Sequence, residues 1–155
     1  MRHLFGLLWK LRLNRALSQR RGSHNAGHRE VEMKAILFVD DHEVLARLSC
    51  EILEMQGYKA VSAYNAEDAL KKFDQENIDI VVTDFRMDGM NGVELAQRVR
   101  EKSPTTPVII VTGYGPVDGG NVVDACLQKE ELFPALLEKI KFFLADAKPE
   151  PVAKT

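Results

Sequence analysis

No apolar run in this chain approaches the ~18 residues needed to cross a bilayer, so no membrane span is expected. Cysteine is scarce. Cys50 and Cys126 are the only two, without CxxC spacing and with no histidine beside either. They offer neither a zinc site nor a redox pair, and imply reduced core thiols in a cytoplasmic protein. Neither apolar residues nor aromatics are in excess. A hydrophobic content of 45%, an aromatic content of 7% and a net charge of −2 describe an ordinary globule. The 155 residues amount to one domain with a proper core.

The charge is unevenly spread. Arg2, Lys10, Arg12, Arg15, Arg20, Arg21 and Arg29 face only Glu30 and Glu32 within residues 1–33, a surplus of five positive charges. The rest of the chain therefore carries a surplus of seven negative ones. An acidic body argues against nucleic acid as a partner. The N-terminal segment looks superficially like a signal peptide but is not expected to be one. Its apolar stretch, Leu4–Trp9, stops at Lys10, and no small-residue cleavage site follows. Its basic residues do not gather on one side of a helical wheel, unlike those of an interfacial helix. Residues 1–32 are expected to be a disordered basic extension, or to precede a true start at Met33. His3, His24 and His28 within it lack compact ligand spacing. The polar tail 147–155, broken by proline, is also expected to be disordered.

From Met33 the pattern becomes regular. KAILFV (34–39) is a short continuous apolar run, as in a strand covered on both faces. Val44, Leu45, Leu48, Ile52 and Met55 recur at helical spacing, and Gly57 stops that helix. Residues 58–63 read as a second strand. Asn65 caps a helix bearing Ala66, Ala69, Leu70 and Phe73 on one face. IDIVVT (78–83) is a third strand ending at Asp84, followed by a helix over 92–102 with Val93, Ala96 and Val99 inward. VIIV (108–111) is a fourth strand ending at Thr112, and 122–127 a fifth ending near Lys129. Pro134 suits the first turn of a last helix whose stripe is Leu136, Leu137, Ile140, Phe143 and Leu144. This alternation predicts an α/β fold: a doubly wound parallel sheet with helices on both faces.

In such sheets, working groups gather at the carboxyl ends of the strands. Asp40 and Asp41 end the first strand, Asp84 the third and Thr112 the fourth, and Lys129 follows the fifth. Three converging carboxylates repel one another unless they share a cation, and a hard ion such as Mg2+ suits their oxygens. An ammonium and a hydroxyl beside them complete a site shaped for a phosphoryl group. A carboxylate so placed can itself be the nucleophile and form an acyl phosphate.

VDD at 39–41, TD at 83–84 followed by FRMDGMNG, Thr112 and Lys129 together resemble a two-component receiver domain over roughly residues 34–145. The resemblance implies a flavodoxin-like five-stranded sheet of order 2-1-3-4-5 within a domain over 33–146. It implies Asp84 as phospho-acceptor and Asp41 as a direct Mg2+ ligand, with Asp40 acting through water and the Arg86 carbonyl as a further ligand. Thr112 and Lys129 would each bond a phosphoryl oxygen, and Gly113 would leave the phosphate accessible. The phosphoryl donor would be a sensor histidine kinase or a histidine phosphotransfer protein, and the output binding to a downstream protein target, with no independent substrate turnover. His42 is expected at the start of the first helix, half solvated.

Several residues depart from the family pattern. Asp88 stands where proline is usual, and Glu130 follows Lys129 in place of proline. Between Thr112 and Lys129 the chain is short, and GYGPVDGGN cannot make a stable helix, so the fourth helix should be reduced to a loop. Cys126 occupies the position of the usual switch aromatic. Tyr114, in a turn that resembles a Thr-Gly-Tyr receiver subclass, is better placed to gate the phosphate's exposure to water. Two other classes remain: a pseudo-receiver that only binds partners, and a Mg2+-dependent phosphatase. The phosphatase needs an acid two residues after its nucleophile, where Arg86 stands.

Overall fold

Three aliphatic stretches form the centre of a parallel sheet. Ala35–Val39 (β1), Ile80–Asp84 (β3) and Val108–Thr112 (β4) are buried along their whole length, as unbroken apolar runs must be when helices cover both faces. Lys59–Ala63 (β2) and Ala125–Gln128 (β5) are only partly covered and form the edges. The order is β2-β1-β3-β4-β5 with every pairing parallel, the flavodoxin-like architecture expected. The computed structural model describes residues 32–145. All but the last residue of the basic extension, its three histidines and the tail 147–155 lie outside the described residues.

Among the described residues, four helices cover the sheet: Glu43–Met55 (α1), Ala66–Gln75 (α2), Gly92–Lys102 (α3) and Leu132–Ala145 (α4), the last preceded by a 3-10 turn at Lys129–Glu131. Alternate strand residues face opposite layers. Ile36, Phe38, Ile80, Val82, Ile109 and Val111 pack with Ala46, Cys50 and Leu53 of α1 and Leu136 and Ile140 of α4. Leu37, Val39, Val81 and Val108 pack with Ala66 and Ala69 of α2 and with Leu95, Ala96 and Val99 of α3. Among the described residues no helix is long and apolar enough to cross a membrane.

The helix starts are fixed by side chains. The Asp68 N–H donates to Asn65 Oδ1 at 2.7 Å, capping α2. Asn91 caps α3 in a capping box: its Oδ1 accepts from Val93 and Glu94 N–H, and the Glu94 carboxylate accepts from its N–H. Gly92 then packs α3 against the end of β3. A Cβ there would collide with the Asp84 carbonyl oxygen.

Two expectations are corrected. The stripe read for α1 is not the buried one: Val44 and Leu48 are 51% exposed and Met55 75%. Leu45 and Ile52 are half-buried, and the inward face is Ala46, Ser49, Cys50 and Leu53. That series is equally periodic, and its small residues let the helix lie close to the sheet. The fifth strand begins at Ala125 rather than at Val122. Asp124, just before it, anchors the chain through its carboxylate, which accepts from the Val108 N–H and from Arg100, each at 2.7 Å. In α3, Leu95 joins Ala96 and Val99 in the core, and Val93 is half-buried. Among the described residues no helix lies between β4 and β5, and Gly115 and Gly120 there adopt positive φ, as the glycine-rich run predicts.

Candidate functional site

Sheet register brings the polar strand ends level. Val39 pairs with Thr83, and Asp84 with Val111, so Asp40, Asp84 and Thr112 share the carboxyl edge. Asp40 is still held in the ladder, its N–H donating to the Ala63 carbonyl at 3.1 Å. It is 2% exposed, and its Oδ1 accepts from the His42 N–H at 2.9 Å. Asp84 is 7% exposed, while Asp41 projects into solvent. One carboxylate oxygen from each of Asp40, Asp41 and Asp84 lies within 4.8 Å of the others. An all-oxygen donor set with one member open to solvent fits a hard divalent cation such as Mg2+, which keeps several waters.

Lys129 supplies the counter-charge. Its Nζ lies 3.1 Å from Asp40 Oδ2 and 3.2 Å from Asp84 Oδ1. Burial raises the Asp84 carboxyl above the usual carboxylate range; Lys129 opposes this, and the charges of Asp40 and Asp41 add to it. Burial alone would lower the Lys129 ammonium, but its hydrogen bond to Asp40 and the two carboxylate charges carry it above the ordinary lysine value. The pocket thus holds more negative charge than one ammonium neutralises, which is the electrostatic condition for taking up a cation.

Thr112, 1% exposed, is bonded within its own loop. Its hydroxyl accepts from the Tyr114 N–H at 3.0 Å and donates to the Tyr114 carbonyl at 3.3 Å. Arg86 lies in the loop after β3, with its guanidinium carbon 4.2 Å from the centroid of the Tyr114 ring. Asp41, Phe85, Arg86, Met87, Asp88 and Asn91 line a shallow open recess beside the acids. Asp88 is exposed and stands apart from the acid cluster. His42 is exposed and caps α1, its Nδ1 accepting from the Leu45 N–H at 3.3 Å. Cys126 is half-buried in β5, level with Ile110. Burial and the nearby Glu54 push the Cys50 thiol up to about 12, so it remains a protonated core group.

Asp40, Asp41, Asp84, Thr112 and Lys129 meet at one edge, and Arg86, just after β3, turns its guanidinium onto Tyr114 there. The Thr112–Tyr114 bonds and the Arg86–Tyr114 stack were missed. Their signal was a shared offset: Arg86 is two residues past Asp84, and Tyr114 two past Thr112.

A doubly wound parallel sheet with three acids, a lysine and a threonine gathered at its carboxyl edge defines a receiver-like α/β domain. The chain belongs to the response regulator receiver domain family, whose description matches residues 36–131. It is 34% identical over 95 residues to the transcriptional regulatory protein GlrR of Escherichia coli K12, covering 61% of this chain and 20% of that protein. It is 37% identical over 111 residues to the sensor histidine kinase RcsC of the same organism, covering 68% of this chain and 11% of that one. The chain therefore spans a fifth or less of the length of these relatives. Among solved structures it resembles the response regulator TrrA of Thermotoga maritima, in complex with Mg2+-BeF, at 36% identity and a TM-score of 0.67. That match covers 72% of this chain and 99% of TrrA. TrrA is also known in complex with the histidine kinase ThkA.

Proposed function

We propose that this domain is a single-domain response regulator that accepts a phosphoryl group from a histidine kinase or histidine phosphotransfer protein onto Asp84. One observation carries the reading: Asp40, Asp41 and Asp84 converge within 4.8 Å, with Lys129 bonded to the two buried members. In the transfer, an Asp84 carboxylate oxygen attacks the phosphorus of a phosphohistidine. The N–P bond breaks, and its electron pair returns to the imidazole. Lys129 pairs with one phosphoryl oxygen. The Thr112 hydroxyl donates to another, redirecting the proton it now gives to the Tyr114 carbonyl. Asp41, Asp84 and the Arg86 carbonyl would hold Mg2+, with Asp40 acting through a water. The ion would supply charge neutralisation on the transferring group. The Mg2+-BeF complex of TrrA supports this metal.

Partner binding is supported by α1. Val44 and Leu48 stand exposed on the helix that begins three residues after Asp40, an apolar strip beside the acid pocket. A phosphohistidine-bearing protein seated there would reach Asp84, and TrrA's complex with a histidine kinase supports such a donor. Output through binding a downstream protein, a cytoplasmic setting and the absence of independent substrate turnover complete the proposal. The phosphatase class is disfavoured because Arg86 stacks on Tyr114 where an acid would be needed.

A second reading, an interaction module that is never phosphorylated, draws on the absence, among the described residues, of a helix between β4 and β5 and on Cys126 at the switch position. Acetyl phosphate decides between them. Mg2+-dependent phosphate uptake by wild type and none by Asp84→Ala is expected. No uptake by wild type, or equal uptake by the variant, overturns the first reading.

A further inference from the structure

We propose that Thr83, the residue before the acceptor, is a positioning residue: its buried hydroxyl fixes the peptide that leaves Asp84 and so holds the following chain in the shape that takes up the metal ion. The inference rests on the assignment of Asp84 as phospho-acceptor and of the Arg86 carbonyl as a metal ligand, and deepens it.

Thr83 is fully buried in β3, level with Val39 of β1 and Ile110 of β4. Val39 is the last β1 residue in register with β3, so the ladder on that side stops one residue short of Asp84. Asp40 has by then turned its N–H to the Ala63 carbonyl of β2. The Asp84 carbonyl accepts instead from Thr83 Oγ1, at 3.0 Å, in a buried setting. Ile80, Val81 and Val82 fill the rest of the strand with aliphatic groups, and a valine would fill the space of Thr83 equally well. The hydroxyl is therefore not there for packing, and its one bond goes to the acceptor residue itself.

Two further contacts act on the same stretch. The Phe85 N–H donates to the Val111 carbonyl, and the Phe85 carbonyl accepts from the Gly92 N–H, each at 2.9 Å. Gly92 also stands against the Asp84 carbonyl, where a Cβ would collide. The peptide joining Asp84 to Phe85 is thus held at its N–H by β4 and at its carbonyl by Thr83 and α3. Without the hydroxyl, a buried carbonyl loses its donor and the peptide gains freedom to rotate. Arg86 is the next residue along. Mg2+ demands near-octahedral geometry, so a backbone ligand delivered from a loosened peptide binds it less well. Thr83 touches neither the ion nor the phosphoryl group and acts only through Asp84 and Phe85.

The test compares wild type, Thr83→Val, which keeps the shape and loses the hydroxyl, and Thr83→Ser, which keeps the hydroxyl. Calorimetric titration with Mg2+ alone should show the dissociation constant raised about three- to tenfold in Thr83→Val, the worth of one buried hydrogen bond, and close to wild type in Thr83→Ser. Uptake from acetyl phosphate by Thr83→Val should fall by the same factor at low Mg2+ and recover at saturating Mg2+. In metal-free protein the Phe85 and Gly92 amides should exchange faster in Thr83→Val than in Thr83→Ser. Should Thr83→Val not fold, Thr83→Ala takes its place against Thr83→Ser. Mg2+ affinity unchanged without the hydroxyl, or equally weakened in Thr83→Ser, overturns the inference alone. Wild type that takes up no phosphate overturns the acceptor assignment and this inference with it.

Discussion

Burial and the charges of Asp40 and Asp41 raise the Asp84 carboxyl, so the fold tolerates its neutral form better than its charged one. A raised folded value means that this contribution to stability is present at low pH and lost as pH rises through that value. Asp84→Asn removes the penalty. Its Tm should exceed that of wild type by about 2–6 °C near neutral pH in EDTA. The gap should close on acidification, once wild-type Asp84 is neutral too, and narrow when Mg2+ stabilises the charged wild type. A pH series of thermal melts checks all three expectations. Lys129 works in the other direction. Lys129→Met leaves Asp40 buried with only the His42 N–H as donor to its carboxylate, and should cost about 1–3 kcal/mol in urea unfolding near neutral pH. In wild type this stabilisation is full below the ordinary lysine value and is lost as pH rises through the raised one.

Elements deliver these residues, and some delivery points tolerate no change. Gly92 starts α3 directly against the Asp84 carbonyl, so Gly92→Ala must shift either the helix or the end of β3. Overpacking of that kind costs about 1–3 kcal/mol, and because β3 carries the proposed acceptor, acetyl phosphate uptake should fall together with Tm. Where the loop between β4 and β5 ends, Arg100 of α3 donates to the Pro104 and Val122 carbonyls and to Asp124. Asp124→Ala leaves both the Val108 N–H and Arg100 short of a partner. Hydrogen exchange should then quicken in β5 and at Val108, by an amount matching roughly 1–3 kcal/mol of lost protection. Much of this was legible in the sequence. The central strands announce themselves as unbroken aliphatic runs, and each acid or hydroxyl of the pocket terminates one. The inward face of α1 was not legible, because two stripes share its periodicity and size favoured the wrong one. Only packing shows that Ala46, Ser49 and Cys50 go inside. Val122 and Val123 look like a strand, yet the Asp124 anchor holds them in a loop, partly buried against the α2–α3 layer.

At the scale of the whole molecule, Val44 and Leu48 stand exposed on the helix that follows the acid pair, so on the proposed reading partner choice and chemistry can be separated by mutation. Leu48→Glu places a charge in the strip. Transfer from a cognate kinase should fall about tenfold further than uptake from acetyl phosphate, as measured by parallel labelling time courses. The pocket has another whole-molecule property. Asp40 and Lys129 are 89 residues apart in sequence, and their contact forms only once the last strand has docked on the sheet. Closing so long a loop makes it a late event in folding. A nascent or truncated chain that ends before β5 carries all three acids without their ammonium, and on the proposed reading should take up no phosphate from acetyl phosphate. If Asp84 is the acceptor as proposed, competence is in this way tied to completion of the fold: a half-made copy would not draw phosphate away from its finished counterparts.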